Sequence, residues 1–318
     1  MYAELLEMTD DFAWSEYREG PDGLPDDLES GWVAVSPVPV GKRCLAVTHQ
    51  SSGPNGIAPN TTLRSRLLGK PLMPRFPSSL PPSTVLDCIL DANWRTNGIL
   101  HILDVLKWKG QDVGDCETPF RFWWRDTRLA ELPPSPPPSM TGSTTKPGDA
   151  EQPHQSLQGQ GSIPGQDLAD TRYQFSYPNT LIPIPYHTDT TLTNLATQVI
   201  PMARSTRPVP ISIPDPHAIA PSEAMAVDNS TQAPPPLIGT AVEVSADGLL
   251  LYMSEASYEA GTSPLSTWVP IVGYTENDQA SSQATSRDRP LDLFERHVKR
   301  RLAINLGHVD TVIPDVEM

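Results

Sequence analysis

Thirty-six of the 318 residues are proline, and their placement decides which parts of the chain can build a fold. Proline has no backbone N–H and fixes φ, so helix interiors and central strands exclude it. The densest runs fall in 133–169 and 201–237. The first opens Pro133-Pro-Ser-Pro-Pro-Pro-Ser139 and continues through Ser, Thr, Gly and Gln with almost no bulky apolar side chain. Such a segment cannot repay its ordering entropy and reads as a flexible insertion. The second reads as a Pro-rich excursion. With a hydrophobic fraction of 38%, one domain carrying long insertions is expected rather than two full cores.

Between these runs the patterns of ordered structure are short. Trp32-Val-Ala-Val-Ser36 and Arg43-Cys-Leu-Ala-Val-Thr48 are rich in small and β-branched residues and flank a Pro/Gly connection, which predicts an antiparallel pair. Two more strands are expected over 84–90 and 98–108. Asn97-Gly98 favours a left-handed turn conformation, which makes a hairpin the simplest connection between them. The stretch 50–83 reads as a long loop with a basic cluster, Arg64, Arg66, Lys70 and Arg75. Pro119 to Asp126 alternates Phe120, Phe122 and Trp124 against Arg121, Trp123 and Arg125, compatible with a strand or a helix start.

Further on, Leu192, Leu195, Ala196 and Val199 share one face of a helix begun near Thr188 or Asp189. Strands follow at 241–244 and 248–253. Leu291, Phe294, Val298 and Leu302 line one side of a C-terminal amphipathic helix whose last turns are basic. A short helix is predicted over Tyr2 to Glu7. The expected class is α+β, antiparallel β-sheets with flanking helices. Its segments are an acidic N-terminal 1–31, a main domain 32–275 with the two Pro-rich interruptions, and a C-terminal linker and helix in 276–318.

The formal net charge is -15, and within the first thirty residues ten Asp and Glu face Arg18 alone. A chain so charged should repel duplex nucleic acid, whose non-specific affinity comes from phosphate neutralisation by Lys and Arg. Net charge does not describe a pocket, however, and a protein reading one end group by stacking and local hydrogen bonds remains compatible with it. Cys44, Cys88 and Cys116 are too few and too dispersed for a disulfide framework or a thiolate zinc site. No apolar run reaches the ~18 residues that span a bilayer, and no signal-peptide pattern opens the sequence. A soluble intracellular protein with no membrane partner is therefore expected.

A catalytic constellation is not apparent: there is no His pair at metal spacing, no phosphate-cradling Gly loop ending in Gly-Lys-Ser/Thr, and no Gly-x-Ser-x-Gly. Asp87 and Asp104 lie in successive strands and could face each other, either as paired carboxylates or as hydrogen-bonded structural aspartates. Six tryptophans stand out, Trp32, Trp94, Trp108, Trp123, Trp124 and Trp268. A free indole face can stack a base, and a methylated, cationic base adds electrostatic attraction to the ring. Pattern alone does not separate Trp268 from a core tryptophan such as Trp108.

Several blocks, in order, carry a resemblance: Trp32-Val-Ala-Val, Val40-Gly-Lys-Arg43, Arg75-Phe-Pro-Ser-Ser-Leu-Pro81, Val85-Leu-Asp-Cys88, Ile102-Leu-Asp-Val-Leu-Lys-Trp108, Asp115-Cys-Glu-Thr-Pro-Phe-Arg-Phe-Trp-Trp124, and Asp247-Gly-Leu-Leu-Leu-Tyr252 through to Ser263-Pro-Leu-Ser-Thr-Trp268. Together they closely resemble the snurportin family, from about Trp14 to Ile271. The resemblance implies an adaptor that binds the 2,2,7-trimethylguanosine (m3G) cap of spliceosomal U snRNAs for nuclear import of snRNPs. It implies no catalysis, no cofactor and no metal, and shuttling between cytoplasm and nucleus. Trp268 would stack on the trimethylguanine, Trp32 would pack near its methylated edge, and Arg75 would contact cap nucleotides or phosphates.

The fold implied is similar to the nucleotidyltransferase domain of mRNA capping enzymes and DNA ligases. Those enzymes need a Lys-x-Asp-Gly nucleophile motif, and the nearest stretch here is Lys42-Arg-Cys-Leu45. A nucleotidyltransferase-like or cap-processing enzyme using Lys42, Asp87 or Asp104 is the alternative, and a non-RNA scaffold is a third. Two departures from the family pattern matter. An acidic stretch stands where the family carries its Arg-rich importin-β-binding segment, so an importin-β-type receptor is a possible partner without a recognisable binding segment. Pro77 to Thr84 also holds no basic residue, which leaves phosphate contact to Arg75, Lys70 or residues elsewhere.

Overall fold

The computed structural model describes residues 1–9, 22–50, 59–135, 137, 173–215, 236–273 and 289–309. In chain order the elements begin with β1 (Tyr2–Leu5), β2 (Trp32–Pro39), β3 (Gly41–Thr48), β4 (Thr61–Ser65) and β5 (Val85–Asp91). A one-turn α1 (Trp94–Asn97), β6 (Ile99–Trp108), β7 (Gln111–Asp112) and α2 (Thr118–Ala130) follow. Next come β8 (Thr180–Pro183), β9 (Tyr186–His187), α3 (Leu192–Asn194), a π-helical turn over Leu195–Val199, and α4 (Ile200–Ala203). The chain continues through β10 (Arg207–Pro214), β11 (Leu237–Val244), β12 (Ala246–Met253), β13 (Thr262–Pro270) and α5 (Pro290–Val309).

Two sheets form the body. The first has the order β1-β13-β12-β2-β9, antiparallel except for the β1–β13 pair. The second runs β4-β3-β5-β6-β7, with β8 parallel to β6. Alternation along a strand sends successive side chains to opposite faces, and both faces of the first sheet are used. Trp32, Ala34, Leu249, Leu251 and Val269 pack beneath the helical layer, against Leu195, Val199, Leu291, Phe294 and Val298. Val33, Val35, Leu250 and Tyr252 face the second sheet and meet Ile89, Leu103 and Phe122. The mixed α+β class with antiparallel sheets and flanking helices matches the expectation.

Several local expectations are corrected. Tyr2 to Leu5 is a strand, not a helix: the open edge of β13 offers ladder hydrogen bonds that a single unsupported helical turn, costly to nucleate, cannot match. The strands flanking Pro37 to Lys42 are not a pair. The chain steps from one sheet to the other at Val40, and β2 pairs with β12 and β9 while β3 pairs with β4 and β5. The stretch read as loop from 50 to 83 contains β4, and the 201–237 excursion contains β10, which forms a two-stranded ribbon with β11. Most of the 133–169 insertion lies outside the described residues.

Other expectations hold. β5 and β6 pair antiparallel, α1 occupies their connection, and Gly98 adopts a left-handed φ of 66° as its cap. The aromatic stretch after Pro119 resolves as α2, with proline in the first turn where its missing N–H costs nothing. In α5, Leu291, Phe294 and Val298 are buried and Leu302 packs beside them, as the spacing predicts. Among the described residues no helix is long and apolar enough to cross a membrane.

Candidate functional site

Register places Trp268 of β13 opposite Leu250 of β12, which in turn lies opposite Val35 of β2. Trp268 therefore projects from the face of the first sheet that looks toward the second. Its indole lies over Gly248, where an added Cβ would come within 2.7 Å of the ring. Glycine here makes room for the indole, a close approach that any larger residue would obstruct. Half-buried Trp268 lines a cavity of about 260 Å³ with Tyr2, Val38, Arg43, Asp247 and Leu250. That is near the lower end of ligand clefts, ~300–1,000 Å³. It suits one base-sized group, with the rest of a larger ligand outside.

One wall of the cavity, Arg43, belongs to a buried charged cluster. Arg43 on β3 donates from Nη2 to Asp87 Oδ2 at 3.0 Å and to the Met1 carbonyl at 2.8 Å. Arg66, one residue beyond β4, approaches the same carboxylate oxygen at 3.9 Å. The Tyr258 hydroxyl donates to it at 2.8 Å, and the Met1 amino group lies 3.4 Å away. Burial alone would raise Asp87, but Arg43, the amino group, Arg66 and the Tyr258 hydrogen bond outweigh it and hold the carboxyl below the usual range. The cluster is incompletely paired. Asp87 Oδ1 and both arginine Nε atoms are buried and make no hydrogen bond.

Arg66 is held mainly by rings. Its guanidinium lies 5.3 Å from the Tyr2 ring centroid and 5.6 Å from that of Tyr258, and Arg43 lies 5.6 Å from Tyr2. A guanidinium over an aromatic face gains cation–π attraction while its in-plane N–H donors stay available. One aromatic wall beside arginines with spare donors is the chemistry of a site for a planar group that carries an anionic tail.

The expected site residues fall in three different places. Trp268 lines the cavity. Trp32 lies on the opposite face of the first sheet, 6% exposed, in the core under the helices, and its Nε1 donates to Asp27 at 2.9 Å. Arg75 is exposed in the turn before Phe76 and does not line the cavity. Arg43, Arg66, Tyr2 and Tyr258 join this region without being among the expected site residues. Arg43 stands in the Val40-Gly-Lys-Arg43 block and Arg66 in the basic cluster, but neither pattern reveals that both reach one carboxylate.

Asp87 and Asp104 do face each other across β5 and β6. Asp104 is bound by Arg121 through Nε at 3.1 Å and Nη2 at 3.0 Å. Lys42 is exposed and does not line the cavity. Among the described residues no group of three His, Cys, Asp or Glu is placed to hold a metal ion. Within the chain, residues 19–136 match the family described as Snurportin1, m3G cap-binding domain. That stretch is a snurportin-type m3G-cap-binding module. It contains Arg43, Arg66 and Asp87, whereas Trp268 and Tyr258 come from beyond it.

Proposed function

We propose that this chain binds the 2,2,7-trimethylguanosine cap of spliceosomal U snRNAs and acts, without catalysis, as an adaptor for snRNP import. It would shuttle between cytoplasm and nucleus with an importin-β-type receptor. The observation that carries this reading is the cavity in which the Trp268 indole and the Arg43 guanidinium meet. N7 methylation leaves positive charge on the purine, which an indole face attracts. The two N2 methyls remove donors and add apolar surface, which suits walls such as Val38 and Leu250. Asp247 at the cavity also favours a cationic base, while the arginines would face the phosphate bridge.

The unit that would do this runs over 32–275, and β1 and α5, on either side of that span, pack onto its first sheet. The likeness to nucleotidyltransferase domains that the resemblance implies belongs to the same proposal. An enzymatic reading is disfavoured because Lys42 lies outside the cavity and Arg121 occupies Asp104.

The test is a fluorescence titration with trimethylated, monomethylated and unmethylated cap dinucleotides. The trimethylated cap should quench tryptophan emission saturably and bind tightest. Trp268→Ala should remove most of the quench and weaken binding about tenfold or more, as expected where one base-stacking ring is worth ~1–3 kcal/mol. Absence of saturable quenching, or equal affinity for all three caps, would defeat the reading.

A further inference from the structure

Arg66 combines two properties that rarely coexist. Its side chain is only 6% exposed, yet it makes no hydrogen bond with any described residue and its ionic partner Asp87 lies at the long distance of 3.9 Å. Burying a guanidinium is costly unless its donors are met, and so loosely engaged a carboxylate does not fix its orientation. The groups that do enclose it are two rings from different parts of the chain. Tyr2 comes from β1 and Tyr258 from the turn between β12 and β13. Tyr258 is itself anchored, its hydroxyl donating to Asp87 at 2.8 Å and its backbone N–H to the Gly114 carbonyl at 2.7 Å. Tyr2 is fixed by its strand, its N–H donating to the Gly261 carbonyl at 2.7 Å, while Leu5 lies opposite Trp268 in the β1–β13 register.

We infer that Tyr2 and Tyr258 are positioning residues that clamp Arg66 between their rings and present its free N–H donors to the phosphate bridge of a cap. This rests on the cap-binding reading above and adds to it a division of labour. Trp268 recognises the base, and the aromatic clamp sets the affinity for the anionic tail. Because Tyr2 also lines the base cavity, β1 joins the two halves of the site: the strand that closes the edge of β13 also carries one jaw of the clamp.

The experiment compares two ligands, trimethylguanosine nucleoside and the trimethylated cap dinucleotide, across the 318-residue wild-type chain, Tyr2→Phe, Tyr2→Leu, Arg66→Ala and Tyr2→Leu combined with Arg66→Ala. Phenylalanine keeps the ring and should retain wild-type affinity for both ligands. Leucine keeps apolar bulk but no π face, and should weaken the dinucleotide about three- to fivefold, the size of a partly exposed cation–π contact. Because Tyr2 also lines the base cavity, the nucleoside should weaken too, but by less than the dinucleotide, and the salt dependence of dinucleotide binding should fall. In the Arg66→Ala background the leucine substitution should weaken the dinucleotide no more than it weakens the nucleoside.

If Tyr2→Leu weakens both ligands equally, Tyr2 is only a wall of the base cavity and the proposal is overturned. It is equally overturned if Tyr2→Leu and Arg66→Ala act additively, or if Tyr2→Leu matches wild type on both ligands. Failure of the wild type to bind either ligand would instead refute the cap-binding reading, and the clamp's role with it.

Discussion

Two aspartates opposite one another on β5 and β6 show how a buried ion pair differs when it builds the fold and when it borders a site. Asp104 and Arg121 are both fully buried. Every guanidinium nitrogen of Arg121 is used: Nε and Nη2 bind the carboxylate, Nη1 donates to the carbonyls of Cys116 and Ala256 at 2.6 Å, and Nη2 also reaches Thr118. Asp104 Oδ1 additionally accepts from its neighbour's backbone, Val105 N–H, at 2.8 Å. Asp87 instead shares one oxygen among Arg43, Arg66, Tyr258 and the Met1 amino group and leaves the other unpaired. The closed set ties α2 to β6 and to the turn after β12. The open set keeps donors in reserve at the edge of a cavity. Charge and burial alone do not separate the two cases; completeness of hydrogen bonding does.

The largest expected effect lies in the closed set. Asp104→Ala strands the Arg121 cation in the interior, and breaking a buried pair from one side costs ~3–5 kcal/mol. Urea unfolding should show that loss, with cap affinity unchanged in whatever protein remains folded. A cost under about 1 kcal/mol would mean that the three remaining oxygen acceptors satisfy Arg121 unaided, and the contrast would fail. Asp87→Ala should cost less, about 1–3 kcal/mol, since Arg43 borders the cavity and can be solvated there. Here cap binding should change along with stability, because Arg43 and Tyr258 lose a shared anchor. A stability loss larger than that of Asp104→Ala would reverse the comparison.

What the sequence disclosed follows the same division. Elements whose residues answer to local periodicity were legible: the apolar stripe of α5, the β5–β6 hairpin, the helix that leads into the π turn. Trp268 was legible through its block rather than its environment. The face on which Trp32 lies was not, because a strand's two faces are assigned only by register with distant strands, and β2 pairs with β12 more than two hundred residues later. Arg66 looked like one of four loop cations until β4 formed beneath it. Tyr2 carried a weak helical signal that long-range pairing with β13 overrode. In each case the missing quantity was a non-local contact, and the rim of the cavity is built almost wholly from such contacts.

The smallest expected effect sharpens the comparison through protons. Asp87 is held below the usual carboxylate range by the arginines and the amino group around it, so the unfolded chain takes up that proton more readily than the folded one. Its stabilisation is therefore complete above about pH 4 and is lost as pH falls through the depressed folded value. Asp22 beside Arg301 and Asp91 beside His101 shift in the same direction, so some acid sensitivity must survive in any Asp87 variant. Asp87→Asn isolates the share that belongs to this carboxylate, because a protonated carboxyl and a carboxamide have nearly the same shape. In urea midpoints measured from pH 7 down to pH 3, wild type should start above Asp87→Asn and converge on it as the medium acidifies. A gap that stays constant across that range would show that Asp87 contributes through shape and neutral hydrogen bonds, and that the arginines at the cavity do not depend on its charge.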